Sequence, residues 1–296
     1  MASVQDLKRR IRSVRNTRKI TRAMELVAAA KLRRAQTRIE AMRPYASTMQ
    51  ELISGVGRAA GSVRSLPLLQ QREETNTVLL VPLTGDRGLA GAFNAQVLRR
   101  AFALERQLEA EGKTVRWLAV GKKGRSTLTF RRRHVEGEFV GFTDRPGYAD
   151  AQAIAHRASE LFVNGEVDRV LLVYNTFVSA LTQQVTDQAI LPISADVLET
   201  DEDERRDDAL RGDFIFEPEP EEILQRLLPV YVETQVYRAL LESSASEQGA
   251  RMTAMRNASK NAGELIDGLT LQMNRARQAQ ITQEILEIVA GAEALS

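Results

Sequence analysis

A glycine-rich segment, GDRGLAGAFN at positions 85–94, holds the residues best suited to chemistry in this chain. It follows an apolar run and precedes a helical pattern, which is where a dinucleotide-binding loop lies in open α/β folds. Its glycines Gly85, Gly88 and Gly91 are three apart, however, and no acidic residue follows about twenty positions later to bind a ribose. We expect a structural or protein-contacting turn, and nucleotide binding is the weaker alternative.

Other combinations that could do chemistry are incomplete. The GKT at 112–114 resembles the end of a phosphate-binding loop, but Gln107 stands where that loop needs its first glycine. The GKKGRST at 121–127 has the residues in the wrong order. Cys is absent, and His134 and His156 are too few for a His-based metal site. The sequence therefore predicts no cofactor, no metal and no enzymatic activity of its own.

Charge is distributed unevenly along the chain. Residues 1–43 carry thirteen Lys or Arg against three acids, whereas residues 199–208, ETDEDERRDD, carry seven acids and two Arg. A basic segment of this kind suits nucleic acid, an acidic protein surface or lipid headgroups, and charge alone does not choose among them. No apolar run reaches the roughly 20 residues that span a bilayer. We expect a cytoplasmic protein for which peripheral membrane association stays open.

The N-terminal 60 residues have the repeat of a coiled-coil helix. Steps of alternately three and four residues from Val4 to Val56 visit sixteen positions, of which thirteen are apolar. The exceptions, Arg18, Thr21 and Glu25, fall together, and beside them Ile20, Met24 and Val27 form a second apolar stripe on another face. Pro44 is expected to bend this helix without ending it. The pattern predicts one helical partner along most of the helix and a second contact surface around Met24.

The middle of the chain, residues 74–196, changes to alternating strands and helices. Strands are predicted at 77–84, 115–121, 135–142, 168–179 and 183–193, with helices at 93–111, 122–131 and 149–163. This alternation is typical of an open, mostly parallel, Rossmann-like α/β sheet. The acidic stretch 197–219 is interpreted as a solvated linker or exposed loop.

Residues 220–296 return to a coiled-coil repeat. A helix from about 221 to 295 would be roughly 110 Å long, against roughly 80 Å for the N-terminal helix. We expect the two to form a long antiparallel coiled coil beside the central α/β domain, with the end of the C-terminal helix extending beyond its partner. A free basic coiled-coil protein that binds nucleic acid is the alternative, but an apolar seam runs through its basic region and no recognition motif is present.

The chain resembles the gamma subunit family of the F-type ATP synthase, in its bacterial form, over essentially its whole length. The similar segments are KITRAMELVAAAKLRRAQ (19–36), GDRGLAGAFN (85–94), ASEQGARMTAMRNASKNA (245–262) and ARQAQITQEILEIVAGAEA (276–294). The last contains the family signature I-T-x-E-x-x-[DE]-x-x-x-G-A-x-[SAKR]. Its positions are Ile281, Thr282, Glu284, Glu287, Gly291, Ala292 and Ala294.

The resemblance implies a role as the central rotor stalk, without catalysis of its own. It implies that the terminal helices form a shaft inside a ring of alpha and beta subunits, with the C-terminal tip in an apolar sleeve. It also implies that the α/β domain contacts the epsilon subunit and the ring of c subunits. Torque would then couple proton flow to ATP synthesis, at the cytoplasmic side of the cell membrane, with membrane association only through the complex and no nucleic acid bound.

The resemblance also implies which residues contact the partner subunits. Arg22, Met24 and Lys31 would lie where the coiled coil passes acidic loops of the ring, and periodicity alone leaves open that Met24 is only part of the seam. Polar contacts with the beta subunits are expected from a second set of residues. This set is Arg251, Arg277, Gln278, Thr282, Glu284 and Glu287.

Overall fold

A computed structural model of the protein describes residues 3–59, 66–72, 75–194, 197 and 218–293. The predicted acidic linker, 197–219, lies almost wholly outside the described residues, as does the end of the family signature beyond residue 293. The described chain divides into two compact units. One comprises residues 1–30 and 251–296, and the other residues 31–250.

The helices and strands follow the predicted order closely. They are α1 (Val4–Ala59), β1 (Thr77–Pro82), α2 (Phe93–Ala110), β2 (Thr114–Val120), α3 (Lys122–Phe130), β3 (Val135–Phe139), α4 (Tyr148–Val163), β4 (Arg169–Phe177), β5 (Gln183–Leu191) and α5 (Pro220–Glu293). Pro44 and Pro229 lie inside α1 and α5, and neither ends its helix. The prediction of long terminal helices around a central α/β domain is confirmed.

The five strands form one sheet in the order β3-β2-β1-β4-β5. β1 pairs in parallel with β2 and β4, and β2 with β3, whereas β5 returns antiparallel to β4 through a tight connection. The strand order reverses direction between β1 and β4. In open α/β sheets a ligand commonly binds at such a switch point, outside the carboxyl ends of the strands.

Both faces of the sheet are covered. Alternate residues of β1 point to opposite sides, with Leu79 and Val81 in one core and Val78 and Leu80 in the other. α2 and α3 cover the second core. The first is covered by α4 together with the C-terminal part of α1 and the N-terminal part of α5. The terminal helices are therefore built into the hydrophobic core of the α/β domain.

One stretch of α5, residues 239–249, is buried on all sides although it is rich in polar residues. It includes Glu242, Ser246, Glu247 and Gln248, none of them more than a tenth exposed. A buried polar helix is stable only when its side chains find hydrogen-bond partners. Ser246 and Gln248 find their partners at the carboxyl edge of the sheet, whereas Glu242 accepts a hydrogen bond from Arg238 of α5 itself.

In the other unit, α1 and α5 run antiparallel. The Arg256 guanidinium lies 3.0 Å from a Glu25 oxygen, and Gly263 lies against the guanidinium of Arg18. In both contacts the two residue numbers have the same sum, as an antiparallel register requires, and this register pairs Val4 with Arg277. The following sixteen described residues of α5, about 24 Å of helix, extend beyond the start of α1, as the sequence predicted.

Candidate functional site

The glycine-rich loop after β1 is a structural junction. Asp86 accepts hydrogen bonds from the backbone N–H groups of Lys122, Gly141 and Thr143, at 2.9 to 3.1 Å, and from the Thr143 hydroxyl at 3.0 Å. One carboxylate therefore ties together the loops that follow β1, β2 and β3. Burial alone would raise the pKa of Asp86, but the backbone hydrogen bonds outweigh it and hold the pKa below its usual range.

The first two N–H groups of the same loop are not free to hold a phosphate. Gly85 donates to the Asn94 side chain at 2.8 Å, and Asp86 donates to the Thr143 hydroxyl at 2.8 Å. A side chain at Gly85 would meet the carboxylate of Glu247, which belongs to α5. A phosphate cradle needs free N–H donors, so the prediction of a structural turn fits the observed contacts.

α5 also occupies the switch point between β1 and β4. The Ser246 hydroxyl donates to the backbone carbonyl of Asn175, close to the end of β4, at 3.1 Å. Glu247 lies beside the end of β1 through its approach to Gly85. The crevice that holds a ligand in many folds of this type is filled here by the protein's own helix.

Asp144 joins three elements at the carboxyl edge. Its carboxylate forms an ion pair with Lys31 of α1 and accepts a hydrogen bond from the Gln248 side chain of α5 at 2.7 Å. Its backbone carbonyl accepts a longer hydrogen bond, 3.4 Å, from the Ser244 hydroxyl. We call Lys31, Asp144, Ser244 and Gln248 the Asp144 clamp. It attaches both terminal helices to the α/β domain at one point.

In the coiled-coil unit, the predicted polar exceptions do not open a gap in the seam. Thr21 and Glu25 are buried on the side of α1 that faces α5, and Glu25 is only 5% exposed. Glu25 accepts hydrogen bonds from Arg256 at 3.0 Å and Arg22 at 2.7 Å. These bonds, that from Arg256 foremost, hold the pKa of Glu25 below its usual range although burial acts in the opposite direction.

The second apolar stripe faces away from α5. Ile20 is 60% exposed and Val27 is 56% exposed, while Met24 between them is half-buried. Apolar side chains on the outside of a two-helix coiled coil gain nothing from that coiled coil. The stripe therefore forms an apolar patch inside a strongly basic part of the chain.

The sequence-predicted contact residues occupy three places. Arg22 and Met24 lie together on α1 near the buried Glu25, whereas Lys31 is engaged in the Asp144 clamp. Arg251 is buried, at 8% exposure. The remaining predicted residues lie on the exposed end of α5: Arg277, Gln278, Thr282, Glu284 and Glu287.

At this end of α5 the polar side chains bond only within their own helix among the residues that the structure describes. The Thr282 hydroxyl donates to the backbone of Gln278, and Glu284 and Glu287 accept from the glutamines four residues earlier. Ile281, Ile285 and Ile288 are each about half exposed or more. A helix end with exposed apolar and polar side chains has the composition of a surface that another molecule covers.

Comparison with known proteins decides the family. A family model described as ATP synthase matches residues 3–295. The chain is 49% identical over 296 residues to an ATP synthase gamma chain of Rubrobacter xylanophilus, covering all of this chain and 99% of that one. The gamma chain of Rhodospirillum rubrum is 46% identical over 301 residues, with both chains covered in full. This chain belongs to the ATP synthase gamma chain family.

Solved structures agree with this family. A chain of the central stalk and c-ring of the Tetrahymena thermophila mitochondrial ATP synthase is 30% identical and superposes with a TM-score of 0.60, covering 81% of this chain and 99% of that one. A chain of the Euglena gracilis mitochondrial ATP synthase, 19% identical, covers 99% of this chain and 94% of that one with a TM-score of 0.68, which supports the fold. The predicted resemblance is confirmed, and the nucleic-acid alternative has no support among these relatives.

Sequence reasoning missed most of the residues that hold the site together. Asp86 lay in a noted motif, but its partners are backbone groups of two other loops, which no sequence pattern reveals. Asp144 and Gln248 carried no signal, because they lie more than a hundred residues apart and meet only in the folded domain. Glu25 could have been predicted, since a single acidic residue at a seam position indicates a cationic partner on the facing helix.

Proposed function

We propose that this chain transmits torque as the central rotor of an F-type ATP synthase, between a proton-driven ring in the membrane and a ring of catalytic alpha and beta subunits. It performs no catalysis itself and couples proton flow to ATP synthesis. The Asp144 clamp is the observation that carries this proposal. A shaft transmits torque only if both of its helices are fixed to the domain that is turned, and the clamp attaches both.

The construction of the terminal helices also supports this role. α1 and α5 continue without interruption from the core of the α/β domain into the antiparallel pair. Continuous helices with a packed seam resist twisting better than helices joined by loops, because hydrogen bonds and side-chain contacts must break before the backbone yields. The chain is thus built as a stiff element rather than as a binding module.

The contact surfaces of this rotor follow from what is exposed. We assign the patch of Ile20, Met24 and Val27, with Arg22 beside it, to acidic loops of the catalytic ring, since an apolar patch in a basic surface suits an acidic loop with apolar residues. Lys31 instead forms an ion pair with Asp144 in the clamp. Arg251 lies in the packed part of the coiled coil. The exposed end of α5 is assigned to the interior of the ring.

The remaining partners and the location are proposed from the family. The α/β domain contacts the epsilon subunit and the ring of c subunits, and the assembly lies at the cytoplasmic side of the cell membrane. None of the described helices is long and apolar enough to cross a bilayer. Membrane association is therefore proposed to run through the complex alone.

Reconstitution tests this function. The purified chain is mixed with alpha and beta subunits, and both stoichiometric co-elution and ATP hydrolysis are measured. We expect a stable complex and a strong increase in hydrolysis over the chain-free subunits. A chain that fails to join these subunits, but binds duplex DNA with an affinity that falls steeply with salt, would contradict the proposal.

Changing Met24 to Lys tests the coupling surface. The added charge lies in the apolar patch, so we expect proton pumping per ATP hydrolysed to drop severalfold in membrane-reconstituted complexes, while the helical content stays the same. Leu26→Lys is the control, because Leu26 is also an apolar residue of α1 but is exposed on another side of the helix. Equal pumping by wild type and Met24→Lys would remove the patch from the coupling surface.

A further inference from the structure

We propose that a tyrosine-lined groove on the α/β domain binds a segment of another subunit of the assembly, one that presents a bulky apolar side chain next to a carboxylate. This inference rests on the proposed function. The groove lies between α1, α4 and α5 and has a volume of about 460 Å³. It is lined by Arg38, Ala41, Met42, Tyr45, Tyr148 and Tyr237. We call it the tyrosine groove.

The walls of the groove are mainly apolar and accessible. The rings of Tyr148 and Tyr237 meet edge to face, with centroids 5.6 Å apart. Tyr45 remains 48% exposed and Tyr148 38% exposed. Aromatic rings around a concave surface are enriched where one protein anchors a side chain of another, because they offer large contact area at low conformational cost. The volume is within the range of about 300 to 1,000 Å³ typical of preformed pockets.

The groove is held in shape before any partner arrives. The Tyr148 hydroxyl donates a hydrogen bond of 2.7 Å to Glu233 of α5, and the Gln152 side chain donates to the same carboxylate at 3.4 Å. These bonds fix the Tyr148 ring at the junction of α4 and α5. A preformed wall lowers the entropy cost of binding.

Charge identifies the chemistry of the partner. Arg38 lines the groove and is half-buried, yet it forms no ion pair with any residue that the structure describes. Glu233, the carboxylate that accepts a hydrogen bond from Tyr148 in the wall, is already engaged by Tyr148 and Gln152. A guanidinium at the edge of an apolar groove is suited to bind a carboxylate through two hydrogen bonds. A cationic ligand, which three tyrosines could otherwise attract, would be repelled by Arg38.

Photo-crosslinking in the assembled complex tests the groove. Tyr45 is replaced by p-benzoylphenylalanine in the full chain, the complex with its partner subunits is purified, and irradiated peptides are identified by mass spectrometry. We expect one dominant crosslink to another subunit, in a peptide with a bulky apolar residue within four positions of an Asp or Glu. Because Tyr45 is half exposed, its replacement should leave the thermal unfolding of the chain unchanged.

A charge reversal separates recognition from mere proximity. Arg38→Glu should reduce the crosslink yield at least tenfold, whereas Arg43→Glu, the same change on another face of α1, should not alter it. A crosslink within the chain, to a second copy of it, to a peptide without an acid, or no crosslink overturns the groove assignment. Stoichiometric assembly of the wild-type chain with alpha and beta subunits is recorded in parallel. Assembly without the crosslink refutes the groove alone, whereas failure to assemble refutes the proposed function and the groove with it.

Discussion

Single carboxylates connect parts of this protein that lie far apart in the sequence. Asp86 binds three loops through backbone N–H groups, Asp144 joins α1 and α5 to the α/β domain, and Glu25 bridges the two helices of the coiled coil. Each accepts hydrogen bonds from several donors at once, and an ionised carboxylate accepts stronger hydrogen bonds than a neutral oxygen does. At this scale the residues that matter most are acids in an otherwise slightly basic chain.

Asp86→Asn should lower the free energy of unfolding of the α/β domain at pH 7 by about 2 kcal/mol, because an amide cannot accept all the bonds that the carboxylate accepts. The depressed pKa means that this stabilisation is complete above the usual Asp pKa and is lost as the pH falls through the folded-state pKa. Urea denaturation at pH 7 and at pH 3 measures it. The difference in the free energy of unfolding between wild type and variant should be smaller at pH 3 than at pH 7.

Asp187→Asn provides the control for that experiment. Asp187 forms an exposed ion pair with Arg100, at 2.7 Å, and exposed pairs contribute about 0 to 1 kcal/mol. A loss at Asp86 no larger than the loss at Asp187 would show that the three loops do not depend on the carboxylate.

Arg132 offers a stabilising change at the end of α3. It has a φ of 56°, in the left-handed region that favours glycine, whereas the preceding Arg131 has an ordinary φ of −83°. The change Arg132→Gly removes the strain of the left-handed backbone, but glycine also gains more freedom in the unfolded chain. We expect the net effect to stabilise the protein by about 0.5 to 1 kcal/mol. Arg131→Gly should be destabilising. Thermal unfolding of both variants decides, and equal losses would contradict the interpretation.

At the scale of elements, α5 has different surroundings along its length. Its first part packs apolar side chains on the sheet, residues 239–249 supply polar contacts at the carboxyl edge, and the part after Arg251 pairs with α1. One continuous helix can do this because each part presents side chains suited to its own neighbours. The polar part lies at the switch point, where other folds of this topology bind a ligand.

Replacing Glu25 with Leu tests the polar layer of the coiled coil. A buried carboxylate loses hydration, while Arg22 and Arg256 are exposed enough to regain water once it is removed. We expect the coiled coil to become more stable by about 1 kcal/mol, seen as a higher midpoint of helix melting by circular dichroism. Glu40→Leu, on an exposed part of α1, should have no such effect. A lower midpoint for Glu25→Leu would show that the charged layer stabilises the helix pair.

At the scale of the whole molecule, the chain has two units, an antiparallel helix pair and an α/β domain, and α1 and α5 each contribute residues to both. Within the unit of residues 31–250, the Asp144 clamp and the apolar core both attach α1 and α5 to the sheet. The end of α5 has no contact with α1 in the described residues and gains its neighbours only from other subunits under the proposed function. Changes at the end of α5 should therefore affect assembly, whereas changes in the core of the α/β domain should affect folding.

Removal of residues 282–296 should separate these two properties. The cooperative unfolding of the α/β domain is expected to remain, because the exposed side chains of this end contribute nothing to its core. ATP hydrolysis stimulated by the chain, or the torque measured in single complexes, should decrease. Loss of the cooperative transition in the truncated chain would show instead that the tail belongs to the core of the domain.

The sequence by itself determined the elements, their order and the family. A repeat of three and four residues and a change to alternating strands and helices are local patterns, so they can be recognised without knowledge of the fold. The same patterns placed Ile20 and Val27 on an outer face, where the structure has them. The motif at 276–294 was long enough to indicate the gamma chain family by itself.

Only the tertiary structure decided how the parts are joined. It paired Glu25 with Arg256, brought Asp144 to Lys31 and Gln248, filled the switch point with α5 and gathered three tyrosines into a groove. Each of these depends on residues that lie far apart in the chain. The partners of these side chains come from distant parts of the chain that only folding brings together. A periodic pattern shows which side of a helix or strand is apolar, but it does not show which polar partner a side chain will contact.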